Sequence, residues 1–121
     1  MSRALVVKAT CGTEDPERVN QAFTVAAAAA ASGATVSLWL TGEAAWFGVP
    51  GRAEEFSLDE AAPLADLRAA ILATGGSVTV CTQCAARRGI TESDLVQGVA
   101  IAGAAVFAEL VLQDGVQALV Y

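Results

Sequence analysis

The sequence contains no histidine. That removes Cys-His and Ser-His-Asp nucleophile arrangements and every histidine metal ligand. A reactive cysteine in this chain therefore has to be activated by a helix dipole, by backbone N–H groups or by arginine. Lysine is nearly absent as well: Lys8, within the first predicted strand, is alone, and the net charge is −6. A general nucleic-acid-binding surface needs clustered Lys and Arg, so none is expected, and the acidity reads as solubility. Aromatic residues make up only 6% although 55% of residues are hydrophobic, so the apolar content is largely Ala and Val, which suits helices packed tightly on a parallel sheet. Charged residues, at 17%, leave little polar cover for the surface and point to an oligomer. The longest apolar run, Val25 to Ala31, falls far short of the ~20 residues a membrane span requires. The start of the chain lacks the apolar segment and cleavage site of a secretory signal. A cytoplasmic chain without membrane attachment is expected. Thiols are kept reduced there, so three cysteines suggest reactivity or packing rather than structural disulfides.

What is present reads as one domain spanning 1–121. Arg3 to Ala9 is short and apolar, a first strand. A loop, Thr10 to Pro16, leads to a helix ending at Ser32, with Asp15 as cap and Pro16 at the first helical position. Ala34 to Thr41 is a second strand, followed by a short helical turn, Gly42 to Phe47, and a mobile loop, Gly48 to Ser57. Ser57 or Asp59 caps a helix running through Pro63, Leu64, Leu67, Ile71 and Leu72. Ser77 to Val80 is a third strand with Cys81 at its exit, and a short helix covers Cys84 to Arg88. Val96 to Ile101 is a fourth strand, Gly103 to Gln113 a helix and Val116 to Tyr121 a final strand. Alternating strands and helices predict a three-layer α/β/α sandwich with a mainly parallel sheet of about five strands. Ligands and catalytic groups gather outside the carboxyl ends of such strands. The Thr10–Glu14 loop, the Trp46–Phe47 segment and the Cys81 turn all fall on that edge.

Cys81-Thr82-Gln83-Cys84 is a C-x-x-C, open to three readings: catalytic thiols, half of a zinc site, or two buried small residues. Zinc needs four ligands, which three cysteines without histidine can complete only through a carboxylate, so no metal is expected. A strand exit followed by two arginines one helical turn on favours reactive thiols, with Cys81 first and Cys84 beside it. Cys11, on the same predicted edge, is a candidate resolving thiol or a loop cysteine without a role. Arg87 and Arg88 read as salt-bridge formers rather than thiolate partners, since helical geometry keeps both from facing the thiol. Trp46 and Phe47 read as subunit-interface aromatics, with walling of the site as the alternative. Glu14 and Asp15 read as acids of a helix N-terminus. No G-x-G-x-x-G or P-loop pattern is present, and no cofactor is expected.

Cys81 followed by Arg87-Arg88-Gly89 resembles the signature of the DsrE/DsrF-like family, which includes the TusD-like and YchN-like proteins. The Gly12-Thr13 loop, Gly42 after the second strand, Gly98 and the last strand fall where that family has them. Cys84 is similar to the YchN-like branch. The resemblance implies a DsrE/YchN-like fold, assembly as trimers or hexamers, and sulfur relay. Cys81 would accept sulfur as a persulfide from a donor protein and pass it to an acceptor protein's thiol, a sulfurtransferase activity. Cys84 stands beside Cys81 as a catalytic candidate, and Cys11 and Arg88 stand as accessory candidates. Two other functions remain open: a non-catalytic small-ligand or protein-interaction subunit, and a dithiol redox protein.

Overall fold

The computed structural model describes residues 3–121. Strands β1 (Ala4–Ala9), β2 (Thr35–Leu40), β3 (Ser77–Cys81), β4 (Val99–Ala102) and β5 (Val116–Val120) form one sheet in the order β4-β3-β2-β1-β5. Every pairing is parallel. Helix α1 (Pro16–Ala31) links β1 to β2, and β2 is followed by a 3-10 turn, Gly42–Gly48. Helices α2 (Arg52–Glu55) and α3 (Leu64–Ala73) lead to β3, α4 (Thr82–Arg87) leaves it, and α5 (Ala104–Val111) joins β4 to β5. Parallel crossovers are right-handed. The steps from β1 to β4 all run one way across the sheet, so α1 and α3 share a face. The return from β4 to β5 runs the other way and places α5 on the opposite face.

Side-chain alternation divides the two faces. Leu5, Val7, Val36, Leu38, Leu40, Val78 and Val80 pack into the core beneath α1 and α3. Helix α1 meets them with Val19, Ala22, Phe23, Ala26, Ala27 and Ala30, one helical stripe whose alanines permit close approach. The other face carries Val6, Lys8, Trp39, Thr79 and Cys81. Phe107 of α5 packs there edge-to-face on Trp39, ring centroids 5.1 Å apart. Among the described residues no helix is long and apolar enough to cross a membrane.

The element order matches the sequence reading, and several details differ. Asp15 makes no side-chain cap; its carboxylate pairs with Arg18 at 3.3 Å, one turn into the helix. The segment expected to be a mobile loop is tied down. Gly51 donates its N–H to Glu54 at 3.1 Å, and the buried Arg68 bonds both Glu54 at 3.1 Å and the Phe47 carbonyl at 2.7 Å. Neither Ser57 nor Asp59 caps α3, which starts after Pro63, whose extended backbone blocks an earlier start. Strand β4 begins at Val99 rather than Val96, because the Val96 N–H is taken by the Gly48 carbonyl at 2.8 Å and a turn separates Val96 from Val99. Phe47 is not an interface residue: it is 1% exposed and meets Phe23 and Phe56 edge-to-face.

Candidate functional site

Strand β3 delivers Cys81 to the carboxyl edge of the sheet, and α4 begins at the next residue. Cys81 is thus the N-terminal flanking residue of α4, still in extended conformation, with the first free N–H groups of that helix beside its sulfur. Burial by itself would push the Cys81 thiol up. The N–H groups of Cys84 and Gln83, the nearby Cys84 thiol and, least, the charge of Lys8 together outweigh burial, and the thiol is brought below its ordinary value. Cys81 is half-buried, which leaves the sulfur a route to solvent, whereas Cys84 is only 9% exposed.

The second thiol is held from two sides. Its Sγ accepts the Gly42 N–H at 3.2 Å. Gly42 has φ +55, and a Cβ there would lie 2.7 Å from the Thr10 carbonyl oxygen, so only glycine brings this N–H to the sulfur. The Cys84 carbonyl accepts from Arg88 Nη1 at 3.0 Å, while Arg88 Nε and Nη2 both reach Glu43 Oε2 at 2.8 Å. Arg88 therefore clamps α4 to the 3-10 turn that also supplies Gly42.

A model of the DsrE/DsrF-like family matches residues 4–121. The chain belongs to the DsrE/DsrF-like family. Among solved structures it is similar to the ychN protein from E. coli, at TM-score 0.81 and 21% identity over 100% of both chains. It also resembles MTH1491, a protein of unknown function from Methanobacterium thermoautotrophicum, at TM-score 0.69 and 10% identity over 100% of both chains. A third likeness is BT1422 from Bacteroides thetaiotaomicron, of unknown function, at TM-score 0.62 and 16% identity over 98% of this chain and 95% of that one. These identities speak for the fold. Among curated proteins no match is found.

Within this DsrE/DsrF-like chain the four residues singled out from sequence are not one cluster. Cys81 and Cys84 meet, and Arg88 supports them through the Cys84 carbonyl; none of its hydrogen bonds goes to Cys81. Cys11 points into its own loop, its Sγ set 3.8 Å from the Asp15 carbonyl oxygen. Burial, then the carboxylates of Asp15 and Glu14, push its thiol up, only partly opposed by Arg18. Arg87 is exposed and has no ion pair among the described residues. Trp46 lies under the Arg52 guanidinium, 4.2 Å from carbon to ring centroid, beside a cleft of about 220 Å³ that Glu43 and Phe56 also line and no cysteine enters. Among the described residues no three Cys, Asp or Glu side chains are grouped as metal ligands.

Two contributors escaped the sequence reading. Glu43 was not distinguishable from any exposed acid, since its partner Arg88 is remote in the chain. Lys8 did leave a signal: a lone cation in a strand destined for a sheet covered on both faces.

Proposed function

We propose that this chain carries sulfur as a persulfide on Cys81 and hands it to a thiol of a partner protein. The observation that carries the reading is the acidified, half-buried Cys81 thiol at the strand exit, with the N–H groups of Gln83 and Cys84 turned to its sulfur. Membership of the DsrE/DsrF-like family supports it. The Cys81 thiolate attacks the outer sulfur of a donor persulfide. The donor S–S bond breaks as a new S–S bond to Cys81 forms, and the donor leaves as a thiolate that takes up a proton. An acceptor thiolate then attacks the outer sulfur on Cys81 and restores the Cys81 thiolate. Neither step changes the overall oxidation level, so no oxidant is needed. The donor and acceptor are proteins, and the setting is the cytoplasm, whose reducing poise keeps Cys81 free between transfers.

The reading includes a homo-oligomer, a trimer or a hexamer. Helix α5 has no buried residue, and on its side of the sheet Val106, Leu112 and Val120 are 50%, 80% and 65% exposed. A second copy would cover this apolar surface.

The test is to treat the protein with a small persulfide donor and map added sulfur by peptide mass spectrometry. Added sulfur on the Cys81 peptide, absent in Cys81→Ser, is expected. Normal uptake by Cys81→Ser would sink the assignment. The nearness of the Cys84 thiol to Cys81 favours one rival, a dithiol redox protein. Its signature in the same maps is loss of the two thiol hydrogens across Cys81–Cys84 with no sulfur gained.

A further inference from the structure

Lys8 has no carboxylate within ion-pair distance among the described residues. It stands mid-sheet in β1, half-buried, on the face that α5 covers, with Val6 at 2% and Trp39 at 3% exposure around it. Its Nζ is instead 5.1 Å from the centroid of the Phe107 ring, which is itself braced edge-to-face on Trp39. Removing an ammonium from bulk water costs free energy, and a cation–π contact offsets only part of it. An anion beside such a site would offset more of that cost.

The register shows which one. Lys8 pairs with Trp39, and Trp39 with Thr79, so the three share one row on one face. Cys81 is two residues beyond Thr79 on β3, hence on the same face and one pleat nearer the carboxyl edge. Around the Cys81 sulfur, β1 offers Lys8 and α4 offers Cys84. The Glu43–Arg88 pair on the 3-10 turn and the end of α4 is satisfied within itself. Strand β2 presents Trp39, β4 presents Ala102 and α5 presents Phe107, none of them ionisable. The Lys8 charge is the last and smallest of the influences that bring the Cys81 thiol down.

We propose that Lys8, an ammonium braced by Phe107 on the same face of the sheet, acts across β2 through its charge to favour the anionic sulfur of Cys81, as thiolate or persulfide, at the sheet edge. The inference rests on the reading of Cys81 as the sulfur carrier and adds the group that tunes it. The ordinary alternative is a lysine that lays its stem along apolar surface and sends its charge to water, without effect on the thiol.

The two are separated by following alkylation of Cys81 with iodoacetamide, a neutral reagent, across pH in the full chain, read on the Cys81 peptide by mass spectrometry. Lys8→Met should slow alkylation at neutral pH by about threefold and raise the alkaline plateau, because a more basic thiolate is scarcer but the better nucleophile. Lys8→Arg should restore most of the original curve. A purely structural role would not produce crossing curves that the charge-conserving variant rescues. Should Lys8→Met fold poorly, the unmodified chain provides the second reading: raising salt to about 1 M should weaken the Lys8 field and slow alkylation at neutral pH. An unchanged Lys8→Met curve, or a salt-independent one in the unmodified chain, overturns the proposal. Sulfur uptake on Cys81 with an unchanged Lys8→Met curve leaves the carrier reading standing and removes Lys8. A shifted curve without sulfur uptake does the reverse.

Discussion

Two cysteines of this chain lie in opposite electrostatic settings. Cys81 receives N–H groups and a lysine charge, while Cys11 is buried beside Asp15 and Glu14. Lowering a thiol's pKa raises its thiolate fraction at any pH below the ordinary midpoint near 8.5, and raising the pKa depletes it. As pH is raised from about 5, Cys81 should therefore label before Cys11, with the Cys81 midpoint below the ordinary thiol value. Site-resolved labelling checks the order, and a Cys11 that labels together with Cys81 would speak for its reading as a resolving thiol. From sequence the three cysteines were separable only in part. The C-x-x-C named Cys81 and Cys84. Nothing local marked Cys11 as insulated, because its raised pKa comes from burial and from where two neighbouring carboxylates point.

The element that holds the cysteine turn is the 3-10 segment Gly42–Gly48. It gives Gly42 to the Cys84 sulfur and Glu43 to Arg88, and it lies so close to β3 that a Cβ on Gly48 would come within 2.6 Å of Val80 Cγ2. Gly42→Ala forces a positive φ on alanine and sets its Cβ against the Thr10 carbonyl. The expected cost is about 1–3 kcal/mol, read as a lower urea midpoint with unchanged slope. An unaltered midpoint would mean that this turn does not pin the site. A short helical turn after the second strand was legible from Gly42 to Phe47. The tethering of the next segment was not, because Arg68 reaches Glu54 and the Phe47 carbonyl from a different helix.

At the scale of the whole molecule, one short helix covers the second face of the sheet and leaves apolar side chains in water. In the oligomer we propose, Val106→Glu places a charge in a subunit contact and should shift the protein to monomers in sedimentation equilibrium. A monomeric unmodified chain at micromolar concentration would remove that reading instead. The low charged fraction hinted at such a surface, but it could not say where the surface was.

Composition and periodicity alone determined the alternation of strands and helices, the parallel sheet and the exit of a cysteine from its third strand. These are local properties: apolar runs of strand length, glycine stops and helix stripes are written residue by residue. Only the tertiary structure decided that β5 lies beside β1, that α5 crosses to the opposite face, and that Lys8 from the first strand shares that face with Cys81 from the third. Register and crossover handedness set those meetings. The lysine's local mark, a lone cation in a buried strand, therefore said that it was out of place but not which sulfur it would face.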